Sequence, residues 1–315
     1  MAKAPLSHFS PVFANRPWEA GGDYTCYFRN PYRRAVEKSP KGLRQWGRKR
    51  GLYKWKVEKA LNQELETDVA KVYSEILKFH ELSEGQRVTW AQFLLSQVVR
   101  TPSFLRYERA AQKIFGIEAE PAHDRVGCKE CGDLSCVTTR DWCLLLAPKG
   151  DYFVRSDNPV LLTGFIERAE TCLLYPLSPQ LCFVACSMPT SWSFLAPSRA
   201  PKFFGRQLPQ GVASMINFYS AKAADESIII SPVNDGKLAE AMFTQVLGLY
   251  PQPPFLLHTS AGHDEAEVFE SIRILMSGID GIQYPSWLPC ELKGLPFFGV
   301  TETYGNAQSG AEAPI

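Results

Sequence analysis

The sequence predicts an α+β fold, with an N-terminal helical layer packed on a mixed β-sheet and further helices toward the C-terminus. Three observations predict it. Between Val57 and Phe79, apolar residues recur at spacings of three and four, the period of a helix with one buried face. After Cys143 the pattern becomes short apolar runs cut by Pro and Gly, as in strands and turns. Helix-length segments then return after Gln210. This partial segregation separates α+β from a strictly alternating α/β chain.

Each element has its own local reason. The first fifty residues alternate apolar anchors with loop signals at Gly21-Gly22 and Asn30-Pro31. Val57, Leu61, Leu65, Val69, Val72, Ile76 and Phe79 form the buried stripe of one long helix. Glu58, Lys59, Glu64, Glu66, Asp68 and Lys71 form its charged outer face. Ser83 and Gln86 make a capping box for a helix reaching about Val99. Thr101-Pro102 breaks and restarts the helix, which runs to about Phe115 and stops at Gly116. Leu144–Leu146, a turn at Pro148–Asp151 and Tyr152–Val154 read as a hairpin. Val160–Thr163, Leu173–Tyr175 and Cys182–Val184 add short strands. A helix covers Gln210–Ala224, and Ile228–Ile230 is a buried strand. Asn234 or Asp235 starts a helix through Val246. Asp264 and Glu267 box the start of another, reaching about Met276 with Gly278 beyond. Residues 1–304 are expected to form one domain, with a cysteine-rich insertion at 120–143 and a loose polar tail at 305–315.

Bulk composition narrows the class. The chain has 315 residues, 45% hydrophobic and 21% charged, which suits a globular protein rather than a disordered one. Its net charge of +1 hides an asymmetry: Arg29–Lys59 holds 12 Lys or Arg against 2 Glu, leaving the remainder near −9. The opening MAKAPLSHFSPVF has no apolar export region. Thr171–Ser198 is uncharged, but Pro176, Pro179, Pro189 and Pro197 interrupt it, which argues against a membrane helix. Nine cysteines without an export signal imply reduced thiols and a cytoplasmic setting. The sequence contains no phosphate-binding loop, dinucleotide glycine pattern, HExxH or GxSxG.

Two short motifs carry the candidate chemistry: SHFSP at Ser7–Pro11 and RSDNP at Arg155–Pro159. His8 can give or take a proton near neutral pH. Asp157, at a strand end, would orient His8 or hold a metal, and Arg100 would neutralise a phosphate or carboxylate. Asn158, in the restricted step before Pro159, belongs to the same candidate site, and Asn217 would add an amide contact. In the competing reading these residues satisfy backbone groups in turns, and Arg100 is a structural salt-bridge partner of Asp157.

A second cluster is His123, Cys128, Cys131, Cys136 and Cys143. Cys128 and Cys131, flanked by Gly127 and Gly132, have the spacing of a metal clamp. Cys136 with Cys143 or His123 would complete four ligands, the closed shell of a structural zinc. The alternative is a loop of free thiols. Cys172, Cys182, Cys186 and Cys290 sit in apolar runs and read as core. The basic stretch Arg29–Lys59 interleaves Tyr32, Trp46, Tyr53 and Trp55, a mixture that suits nucleic acid or another phosphate-bearing ligand. Its sharpest piece is Arg44–Gly51. The plainer reading is a solvated turn region anchored by its aromatics.

These motifs, in this order, resemble the DUF4238 family of uncharacterised proteins. The resemblance rests on His8-Phe9-Ser10-Pro11 leading to Phe13, on Arg100-Thr101-Pro102, on Ser156–Pro159, on Pro176-Leu177-Ser178-Pro179, and on Asn217 before Ile228–Ile230. It spans about residues 6 to 232. Ser10 and the segment Asn15–Glu19 depart from the usual leucine-rich opening, and the cysteine cluster looks peculiar to this chain. The resemblance implies a fold and a site, and carries over no activity.

Two function classes follow. One is a phosphodiester hydrolase or nuclease, in which His8, Arg100 and Asp157 converge in a cleft continuous with the basic stretch. The other is a non-catalytic cytoplasmic binding or regulatory protein, in which the same residues are buried and mutually satisfied. No membrane partner is expected.

Overall fold

A computed structural model describes residues 6–30, 32–33, 35–42, 45–52, 55–105, 109, 134–162, 172–186 and 204–246. The expected helix at 264–276 and the tail at 305–315 lie outside them. The described residues form the mixed α+β architecture that the sequence implies, with helices in the N-terminal half, a β-sheet, and further helices toward the C-terminus.

The chain begins with strand β1 (Leu6–His8), helix α1 (Val12–Asn15) and a 3-10 turn (Arg16–Trp18). Strands β2 (Asp23–Asn30) and β3 (Ala35–Gly42) make an antiparallel hairpin where the sequence reads as apolar anchors between loop signals. Strand β4 (Arg48–Arg50) returns to pair with β1. The helical stripe starts as α2 (Trp55–Ala60), widens into a π-helical segment (Leu61–Glu66) and continues as α3 (Thr67–Leu77). Leu61, Leu65, Val69, Val72 and Ile76 are buried, each worth about 1.5–3 kcal/mol relative to exposure. Phe79 leaves the stripe: it takes the left-handed position that ends the helix (φ 61°) and is 41% exposed.

Helix α4 (Glu84–Val99) carries the expected capping box. The Gln86 N–H donates to the Ser83 hydroxyl, and the Ser83 N–H to the Gln86 side chain. A helical turn at 102–105 follows the Thr101-Pro102 step. After a short helix α5 (Ser135–Thr138) come strands β5 (Asp141–Leu146), β6 (Arg155–Ser156), β7 (Leu161–Leu162), β8 (Leu173–Ser178), β9 (Leu181–Cys186) and β10 (Phe204–Gln207). Helix α6 (Val212–Ala223), strand β11 (Ser227–Ile230) and helix α7 (Gly236–Gln245) complete the described chain. Asp235 caps α7 by accepting the Lys237 N–H at 3.0 Å.

A five-stranded sheet, in the order β10-β5-β9-β8-β7, is buried on both faces. One face presents Trp142, Leu144, Phe183, Ala185 and Tyr175 to α3 and α4. The other presents Cys143, Leu145, Cys182 and Val184 to α6. Burial on both faces explains why these strands read as continuous apolar runs. The expected hairpin from Leu144 to Val154 is absent, because β5 pairs with β9 and β10 instead. A second sheet, β3-β2-β11-β6, packs Ile228 and Ile230 toward α7, and Ile229 toward Trp18, Tyr24 and Trp46. No helix among the described residues is long and apolar enough to cross a membrane.

Candidate functional site

His8 ends β1. Its ring Nδ1 lies 3.1 Å from Glu58 Oε1, and its backbone N–H donates to both Glu58 oxygens at 3.2 Å. One carboxylate therefore fixes ring and main chain together. Arg100, at the C-terminal end of α4, donates to the His8 carbonyl at 2.6 Å and to Glu66 Oε1 at 2.8 Å. Arg100 and Glu58 are buried, whereas the His8 side chain is 29% exposed. A histidine positioned by a carboxylate, with part of its ring at the surface, has the arrangement of an oriented acid–base group.

Glu58 and Glu66 look in sequence like the charged outer face of the long helix. Both turn inward instead. For Glu58 the signal was present: on a helical projection it falls between Leu65 and Val69, inside the apolar stripe. Glu66 is the last residue of the π-helical segment, whose wider turn places side chains where a 3.6-residue period does not.

The basic piece Arg48-Lys49-Arg50 forms β4, exposed at all three positions. It pairs with β1 so that His8 faces Arg48, Ser7 faces Lys49 and Leu6 faces Arg50. Gly47 makes this approach possible. Its carbonyl accepts the N–H groups of Phe9 and Ser10 at 2.9 and 3.1 Å. Its φ is +76°, and a Cβ there would stand 2.7 Å from Ser10 Cβ. Trp46 is an anchor rather than a stacking platform: it is buried, and its Nε1–H donates to Ser227 Oγ at 2.8 Å. Tyr32 is 95% exposed.

Asp157 lies in a different network. Its carboxylate accepts the backbone N–H groups of Asp225, Glu226 and Ser227 at 2.7, 2.7 and 2.8 Å. Burial first, and then the Asp225 carboxylate, push its pKa up to about 7, while the three N–H donors pull the other way. The turn it holds presents Glu226 to Lys49 at 2.7 Å. Asn158 Oδ1 accepts from Ser103 at 2.9 Å, and its Nδ2 donates to the Ala223 carbonyl at 2.7 Å. Asn217 accepts the Val154 N–H at 2.8 Å and donates to the Tyr152 carbonyl at 2.6 Å. These bonds join His8 to Arg100, while Asp157, Asn158 and Asn217 are buried and each holds a different segment.

The two motifs meet elsewhere. Arg155, wholly buried, reaches Ser10 Oγ at 3.5 Å. That contact joins SHFSP to RSDNP. Of the cysteine cluster, His123, Cys128 and Cys131 lie outside the described residues. Cys136 falls in α5, and Cys143 is buried in β5. Among the described residues no group of three or more His, Cys, Asp or Glu is set to hold a metal.

Residues 7–125 match the family model described as a protein of unknown function, DUF4238. That span covers less than half of the chain. It contains the whole His8, Glu58, Glu66 and Arg100 network and stops before Asp157. No curated protein and no solved structure matches the chain.

Proposed function

We propose that the protein binds a phosphate-bearing ligand, with nucleic acid as the ligand class, along the edge where β4 runs beside β1. The observation that carries this reading is the strand Arg48-Lys49-Arg50, exposed throughout and registered against the His8 strand. Side chains alternate along a strand, so Arg48 and Arg50 share one face while Lys49 takes the other. Guanidinium groups offer paired donors to phosphate oxygens. In this reading binding does not involve Asp157, whose carboxylate already accepts three main-chain donors.

A second reading, hydrolysis of the bound phosphodiester, is favoured by the His8–Glu58 pair. His8 would take the proton of an attacking water as the new P–O bond forms. It would return that proton to the leaving oxygen as the old bond breaks. Glu58 is then the positioning residue. The family likeness of Ser156–Pro159, Pro176–Pro179 and Asn217 would extend the same domain to about residue 232.

Fluorescence anisotropy with a short single-stranded oligonucleotide tests the binding reading. Affinity should fall steeply with salt, and Arg48→Ala/Arg50→Ala should flatten the log–log salt slope by about 1.4, from two lost phosphate contacts. Binding that ignores salt, or that survives unchanged in this variant, would overturn it. For hydrolysis, wild-type protein should cleave the oligonucleotide and His8→Ala should cut the rate at least about 100-fold with affinity kept. Absence of cleavage by the wild type removes the second reading and leaves the first.

A further inference from the structure

Arg155 is a wholly buried cation whose bonded partners among the described residues include no anion. Its Nη1 donates to the Pro176 carbonyl at 3.0 Å, and its Nη2 to the Tyr175 hydroxyl at 2.5 Å and to Ser10 Oγ at 3.5 Å. The Trp18 and Tyr175 rings lie 5.5 and 4.7 Å from the guanidinium. Among the described residues no carboxylate forms an ion pair with it, and its Nε–H has no acceptor. The contrast with Arg100 is direct, since Arg100 has Glu66.

Further donors belong to the same stretch of chain. Ser10 donates to Asn15 Oδ1 at 2.7 Å, which links Arg155 through Ser10 to Asn15. The Asn15 Nδ2 is buried without an acceptor, and so is the hydroxyl of Ser7. Water can satisfy an N–H or an O–H, but it cannot neutralise a buried charge. Ring faces return only part of what desolvating a guanidinium costs. The usual resolution is a counter-anion.

We propose that Arg155, with Ser10 and Asn15 beside it, forms an internal site for one small oxyanion such as inorganic phosphate or sulfate. The anion takes the Arg155 Nε–H and adjacent donors, and ties the SHFSP segment to RSDNP. This site is buried and adjoins Gly47, whereas the β4 side chains are exposed, and it does not depend on the reading given to that surface.

The test uses the full chain, exchanged into chloride buffer of fixed ionic strength. Thermal melting is followed as phosphate, then sulfate, replaces chloride. A rise of about 5 °C is expected once phosphate stands near one hundred times its Kd. Arg155→Met should abolish the rise. Arg155→Lys, which keeps the charge and serves if the methionine variant fails to fold, should weaken the apparent Kd by at least about tenfold. Arg48→Ala/Arg50→Ala should retain the full rise, because its lesion is on the surface. A melting temperature indifferent to both oxyanions would overturn the site. So would a rise that vanishes in Arg48→Ala/Arg50→Ala but persists in Arg155→Lys at wild-type strength, which would assign it to β4.

Discussion

The edge around His8 and the interior around Asp157 differ in how far their polar side chains pair with one another. At the edge, side chains meet one another as well as main chain: Glu58 meets the His8 ring and N–H, and Arg100 meets Glu66 and the His8 carbonyl. In the interior, side chains mostly meet main chain. Asp157 holds three N–H groups, and Asn217 holds Tyr152 and Val154. A polar side chain spent on the main chain fixes a turn and has little left for a ligand. A histidine gripped by one carboxylate, with its ring at the surface beside three exposed cationic residues, keeps its chemical capacity. The motif with Asp and Asn together bonds mainly to main chain.

Stability measurements can break that comparison, and Asp157→Asn should give the largest effect. An amide cannot accept all three N–H donors, so urea unfolding should show a loss of about 4 kcal/mol. Its pH dependence is a second signature. The folded state holds the Asp157 proton up to about pH 7, whereas the unfolded chain releases it near its ordinary carboxylate range. The folded state thus binds more protons between those limits. The stability that this group contributes is present at low pH and lost as pH rises through about 7, and Asp157→Asn should remove that slope.

Arg100→Met should follow at about 3 kcal/mol, since it leaves the Glu66 carboxylate and the His8 carbonyl without this donor. It sharpens the comparison by showing that even the edge has one structural member. Asn217→Ala should cost about 2 kcal/mol through two buried main-chain bonds. His8→Ala should cost least, about 1 kcal/mol or less, because its ring is part-exposed. A His8→Ala loss equal to that of Asp157→Asn would erase the distinction.

Local chemistry was legible in the sequence where one residue decides the outcome. Ser83 with Gln86, and Asp235, cap the helices as their types require. The stripe from Leu61 to Ile76 is buried as its period demands. The β2–β3 hairpin was hidden because β3 is an edge strand, where Pro40 and charged residues are tolerated and mimic a loop. Tyr152–Val154 reads as a strand, yet its main chain is met by the Asn217 side chain, a partner that no periodicity encodes. His8 and Arg100 were visible as candidates. Glu58 and Glu66 were masked by an apparently ordinary charged face, and the tie between the motifs falls to Ser10 and Arg155.

The most direct test of this division of labour is one affinity comparison. Binding of a short single-stranded oligonucleotide at low salt is measured for wild type, Arg48→Ala/Arg50→Ala and Asn217→Ala, each at a temperature where it remains folded. The account predicts at least a tenfold loss for the arginine variant and wild-type affinity for Asn217→Ala. Equal losses in both, or a loss confined to Asn217→Ala, would contradict it and return the ligand to the interior.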